Sequence, residues 1–229
     1  MMKKLLLTVS VSLLLVSAFS QNISKITLSE SGHVSAISFD LPENVVVNLS
    51  QDGIIIDWGE DIYKGRMENY RNKLEPYTGK VEYYKENDND AFIGKIKFIG
   101  MTRISYYASY EDESLAGKVK NIGQINVEYY PKYENEAYKG RLKMVGTVAF
   151  TYFPAFGNDP NSGKLKGVGN TALSYYGQFD DKAYKGKIKS ISSVSFKYYS
   201  SSEAKEYRGR IKTGSHIQTI NGIKFFVKL

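Results

Sequence analysis

Tyr138-Lys139-Gly140-Arg141-Leu142-Lys143-Met144-Val145-Gly146-Thr147-Val148-Ala149-Phe150-Thr151-Tyr152-Phe153 is the stretch from which the fold can be read. From Val148 onward apolar and polar residues alternate, which is the period of a half-buried strand. The stretch is one copy of a unit. A glycine followed by Lys or Arg recurs at 94, 117, 140, 163, 186 and 209, always 23 residues apart. An aromatic doublet follows in each interval: Tyr106-Tyr107, Tyr129-Tyr130, Tyr152-Phe153, Tyr175-Tyr176 and Tyr198-Tyr199. A fixed period of this size marks stacked copies of one small element. No window carries a helical period. The expected fold is all-β: an antiparallel meander of repeated β-hairpins forming an elongated, twisted repeat sheet.

Within the unit the expected strands are 138–143 and 147–153. A three-residue loop, Met144-Val145-Gly146, would join them, with its glycine left-handed. This register sets Leu142 opposite Val148, Gly140 opposite Phe150 and Tyr138 opposite Tyr152, all on one face. A two-residue turn would pair Lys143 with Phe150, and strict alternation rejects it. Each recurring glycine would then lie under a bulky neighbour: Gly94 under Ile104, Gly163 under Leu173, Gly186 under Phe196. The other face would carry the basic pairs, Lys95 and Lys97, Lys118 and Lys120, Arg141 and Lys143, Lys164 and Lys166, Lys187 and Lys189, Arg210 and Lys212. A parallel β-helix would stack these like charges about 4.8 Å apart. A meander doubles the spacing to roughly 9.6 Å, near the screening length at physiological salt.

Residues 1–20 read as a cleavable signal peptide. Lys3 and Lys4 precede an apolar run, and Ala18-Phe19-Ser20 places small residues where a signal peptidase reads. The run is shorter than the roughly 20 residues of a membrane span. The chain holds no cysteine, which excludes disulfides, thiolate metal sites and a lipid-modified cysteine. The expected address is the periplasm, the cell surface or the medium. Residues 21–62 read as an N-terminal β cap, with strand-like runs at 23–28, 33–39, 45–49 and 54–58. Residues 63–216 form the array, degenerate at first and regular from about 92. Residues 217–229 form a closing hairpin that turns at Asn221-Gly222. One face of the array is apolar, so sheet curvature, the cap or a second copy in a homodimer must cover it.

Tyr138-Lys139-Gly140-Arg141, Tyr184-Lys185-Gly186-Lys187 and Tyr207-Arg208-Gly209-Arg210 share one opening signature. A 23-residue unit opening in this way resembles the MORN repeat. The similarity covers about 63–212. It implies one hairpin per unit and a scaffold that mediates protein or lipid contacts.

Catalytic groups are scarce. His33 and His216 are the only histidines, they lie at opposite ends, and a general base needs an oriented partner. No Ser/His/acid set, phosphate-cradling glycine loop or paired-histidine zinc motif occurs. Asp57, Glu60 and Asp61 flank Trp58. Paired carboxylates beside an indole suit a glycosidase, but the plainer reading is a polar turn with Trp58 as a core plug. Asp88-Asn89-Asp90 lacks the final glutamate of a calcium loop. The expectation is therefore a protein that is not an enzyme, with no catalytic, cofactor or metal residues.

The net charge is +7, which favours anionic partners. The candidate ligand face comprises Lys95, Lys97, Lys118, Lys120, Arg141, Lys143, Lys164, Lys166, Lys187 and Lys189. The second rings of the doublets, Tyr107, Tyr130, Tyr176 and Tyr199, interleave with them. Such a face suits an anionic polysaccharide or lipid headgroups, and export disfavours nucleic acid. The leading expectation is an exported structural or binding scaffold at the cell envelope, meeting an anionic glycan, a lipid headgroup or another envelope protein. The alternatives are a dedicated binder of anionic polysaccharide or headgroups, and a small outer-membrane β-barrel. The barrel draws support from the alternating Ile223, Phe225, Val227 and Leu229. Its weakness is strand length, since about 9–11 residues are needed to cross.

Overall fold

The computed structural model describes residues 23–62, 73–157 and 159–228. The leader at 1–20 and the opener Tyr63-Lys64-Gly65-Arg66 lie outside them. The cap strands form where β-branched runs alternate between turn residues: β1 (Ile23–Ser29), β2 (Val34–Asp40), β3 (Val45–Leu49) and β4 (Ile55–Glu60). The array follows as β5 (Val81–Tyr83), β6 (Ile96–Ile99), β7 (Thr102–Tyr106), β8 (Val119–Ile122), β9 (Ile125–Tyr129) and β10 (Leu142–Val145). It continues with β11 (Val148–Tyr152), β12 (Leu165–Val168), β13 (Thr171–Tyr175), β14 (Ile188–Ile191) and β15 (Val194–Ser195). The chain ends in β16 (Lys197–Tyr198), β17 (Ile211–Thr213), β18 (Ile217–Ile220) and β19 (Ile223–Lys228).

Strands β5 to β15 form an eleven-stranded antiparallel meander in strict chain order, and β16 pairs with β17 beyond it. This is the meander the period implied. The sheet is open, with edges at β5 and β15. Its strands are mostly four or five residues long, short of the 9–11 that cross a bilayer. The described residues thus form no closed barrel.

The tail hairpin forms at Asn221-Gly222 as expected, but it does not cap the end of the array. β19 lies parallel to β1, with Ile26 beside Phe225 and Leu28 beside Val227. The six-stranded sheet β18-β19-β1-β2-β3-β4 therefore joins both ends of the chain. Its apolar residues Ile26, Ile37, Phe39 and Phe225 share one core with Ile104, Val127, Phe150 and Phe196 of the array. The cap and tail together cover the array's apolar face. Turns of the cap sheet dock into the array: Gly53 O accepts from Val119 N at 2.9 Å, Gln51 O from Leu142 N at 2.8 Å and Glu30 O from Ile188 N at 2.9 Å.

The register within the unit corrects the expectation. Val145 pairs with Val148 and Met144 with Ala149, so the turn has two residues, Gly146-Thr147. Gly146 takes φ 58° at the first turn position, where two-residue hairpins use glycine. Strict alternation misleads because every repeat contains a β-bulge. Against β9 the register shifts between Leu142 and Met144, leaving Lys143 as the extra residue. Leu142 and Val145 then both point into the core. The same shift skips Lys97, Lys120, Lys166, Lys189 and Lys212, so the second basic residue of each pair is the bulged one.

Gly140 does not lie opposite Phe150, which pairs with Val168. It occupies the turn before β10 at φ 71°, a conformation that favours glycine. Its N–H donates to Tyr130 O at 2.8 Å, and Tyr130 N–H donates to Arg141 O at 2.8 Å. Gly94, Gly163 and Gly186 hold the same turn rather than lying beneath Ile104, Leu173 and Phe196.

Candidate functional site

The first basic residue of each pair reaches forward one repeat. Lys95, Lys118, Lys164 and Lys187 donate through Nζ to the carbonyls of Gly117, Gly140, Gly186 and Gly209, each at 2.5 Å. Arg141 donates to Gly163 O in the same way. Charge-assisted bonds of this kind are stronger than neutral ones. Each cation also lies over the first ring of the following doublet, Lys118 over Tyr129 at 5.1 Å and Arg141 over Tyr152 at 5.7 Å. Lys164 is only 4% exposed. Burial holds the ammonium groups of Lys95, Lys118 and Lys164 below the usual lysine range. These five side chains tie successive repeats together, Lys164 from a buried position and the other four from half-buried ones.

The bulged basic residues turn outward. Lys97 lies over Tyr84 and pairs with Asp88, and Lys120 lies over Tyr107 and pairs with Glu111. Lys166 covers the ring of Phe153 and Lys189 that of Tyr176. Lys143, Lys166 and Lys189 are exposed.

The rings expected to interleave with them are committed elsewhere. Tyr107, Tyr130 and Tyr176 donate their hydroxyls to Val127 O, Phe150 O and Phe196 O of the following repeats, at 3.0, 2.9 and 2.8 Å. Their rings pack edge-on against Tyr129, Tyr152 and Tyr198. Tyr199 packs against Tyr207. The first rings of the doublets are deeper. Tyr129, Tyr175 and Tyr198 donate to Val119 O, Leu165 O and Ile188 O. The Tyr152 hydroxyl is buried with no such partner. Burial raises the phenols of Tyr106, Tyr129, Tyr152, Tyr175 and Tyr198.

The remaining sequence candidates stand apart from one another. Asp57, Trp58 and Glu60 belong to strand β4, paired with β3, rather than to the expected polar turn. Asp57 accepts from Trp58 N at 2.9 Å and Glu60 from Thr78 N at 3.2 Å. Trp58 packs on the core and helps line an open cleft of about 400 Å³ with Ile54, Ile56, Lys95 and Tyr106. His33 sits in the turn after β1, where burial and the charges of Lys164 and Arg141 lower its pKa. His216 lies against Phe226. Asp88 and Asn89 accept from Lys85 N and Ala91 N of their own loop. Among the described residues no three His, Cys, Asp or Glu side chains gather as a metal site would require.

One set escaped the sequence reading. Tyr110, Tyr133, Phe156 and Phe179 are exposed at the loops joining successive hairpins. They share the 23-residue period that located the glycines, so the same count would have found them. No family model matches the chain, and no curated protein or solved structure gives a significant match.

Proposed function

We propose that the chain is an exported, non-enzymatic scaffold of the cell envelope. What supports this reading most is the use made of its recurring polar groups. The lysines, arginine and tyrosines that could have formed an ionic site instead tie each hairpin to the next. Such wiring makes a stiff rod of stacked units. It also argues against the basic face as an anionic-ligand site, since half of that face and its rings have internal partners.

The leader motivates the export part of the reading. N-terminal sequencing of the protein recovered outside the cytoplasm is expected to begin at Gln21. Incubating the mature chain with a panel of glycans and peptides is expected to release no product. Product release that disappears in Asp57→Asn would overturn the reading.

A further inference from the structure

Four large apolar side chains stand in solvent along one rim. Tyr110, Tyr133, Phe156 and Phe179 are 84, 84, 83 and 99% exposed. They occupy the same position in four successive repeats. The fold does not need a ring there, because the flanking repeats carry Asn87 and Ser202 in loops closed in the same way. Asp88 accepts from Lys85 N, and Glu203 from Ser200 N. Exposed apolar groups in a row cost solubility and mark contact sites.

The loops hold these rings in place. Glu111 clamps back onto Ala108 N at 2.9 Å, and Asp180 onto Gly177 N at 2.6 Å. In the other two repeats Pro131 and Pro154 stand where those donors would be and stiffen the backbone. The rings are thus presented at little further ordering cost. Successive rings are two strands apart, about 9.5 Å.

The charge of the rim narrows the partner. Loops 108–116, 131–139, 154–162 and 177–185 hold eight acids and four lysines, on a chain whose net charge is +7. An acidic strip repels anionic lipid, nucleic acid and anionic glycan alike. A neutral polymer that repeats at the ring spacing meets no such repulsion.

We propose that the four rings form a stacking platform for a single chain of an extended, neutral β-linked polysaccharide of the cellulose or chitin type. In such a ribbon each sugar is flipped relative to the last, so equivalent faces recur once per disaccharide. That length is close to the two-strand spacing of the rings. Aromatic faces pack against the C–H face of a pyranose, and rim carboxylates and amides accept from its hydroxyls. Strand twist rotates each ring relative to the last, which suits a flexible separate chain rather than the flat face of a crystal. This proposal deepens the scaffold reading and rests on it.

The test is calorimetric titration of the mature chain with soluble cello- and chito-oligosaccharides of increasing length, with product analysis of the same samples. Affinity is expected to climb until the ligand spans all four rings, about seven sugars. Each of Tyr110→Ala, Tyr133→Ala, Phe156→Ala and Phe179→Ala is expected to weaken binding about threefold, and all four together about a hundredfold. Tyr110→Phe should bind as the parent does. The quadruple variant should keep the parent melting temperature, since the rings make no core contact.

Absence of binding by the parent chain, or unchanged binding by the folded quadruple variant, would overturn the platform. So would retention on anionic vesicles or polyanions in place of the neutral chains. Binding accompanied by cleavage would sink the scaffold reading and leave the platform standing, so the two failures are distinguishable.

Discussion

The two sheets share one core but close it by different means. In the eleven-stranded sheet every strand pairs with its neighbour in the chain. Its recurring side-chain ties run to the next copy, from Lys118 to Gly140 or from Tyr130 to Phe150, with a few bonds such as Lys187 to Glu30 reaching the cap. The six-stranded sheet depends on the pairing of Lys25 with Lys224 and its neighbours, almost the full length of the chain apart. The array is thus a quasi-one-dimensional structure that each hairpin can extend. The cap sheet is a lock that forms only when both ends meet, at a loop-closure cost. The two also differ in composition. All nineteen tyrosines lie between 63 and 207, outside the six-stranded sheet, and the single Trp58 lies in β4. Indole fluorescence therefore reports on the cap sheet, and tyrosine signals on the array.

Alkali is expected to have the largest effect, and to act on the array. The five deeply placed phenols are raised above their ordinary value by burial. Their contribution to stability is intact below pH about 10 and is lost as the pH rises beyond it, because the unfolded chain then ionises more readily. The share of tyrosinate absorbance that comes from these five buried rings should rise in one cooperative step, and the Trp58 signal should change with it. A Trp58 signal that stays native through that step would show that the cap sheet stands alone.

Next in size is Phe225→Ala, which empties a fully buried position on β19. It should cost about 3–5 kcal/mol in denaturant unfolding. Both optical signals should again move together, and separate midpoints would divide the core.

Within the array, Gly117→Ala and Gly140→Ala both place a side chain at positive φ, 76° and 71°, which costs about 1–2 kcal/mol. Gly117→Ala should be the worse. Its Cβ would meet Ala91 O at 2.6 Å, whereas that of Gly140 meets only the flexible Lys118 Nζ at 3.2 Å. Equal midpoints would mean that the turns relax freely.

Lys164→Met removes a buried tie and should cost about 1–3 kcal/mol. Lys166→Met, at the exposed bulge, should stay within about 0.5 kcal/mol. A reversed order would return the first basic residues to the open surface.

The smallest effect separates two equivalent rings. Tyr175→Phe loses its bond to Leu165 O, at about 1 kcal/mol. Tyr152→Phe removes a buried hydroxyl without a partner and should be neutral or slightly stabilising. Thermal melts resolve the pair.

The sites of misreading share a cause. Counting by two along 138–153 placed Gly140 under Phe150, because a strand period assumes an unbroken ladder. One bulge per repeat at Lys143 and its equivalents shifts the register and admits the shorter turn. The basic ladder was legible as a pattern but not as a set of bonds. Whether a lysine faces water or the next glycine carbonyl depends on where its neighbour's backbone lies. The exposed rings at 110, 133, 156 and 179 were legible as a period. Their exposure was not, since Tyr130 and Tyr133 are three residues apart, yet the first is half-buried and the second exposed.

Strand type, the 23-residue unit, the cap strands and the tail hairpin could all be read along the chain, because each rests on alternation and turn chemistry among near neighbours. The cover over the apolar face could not. It is made by β1 meeting β19 across nearly the whole sequence, and no local pattern records which distant strand will complete a sheet. Folding selects that partner because Ile26, Leu28, Phe225 and Val227 leave water together against the array.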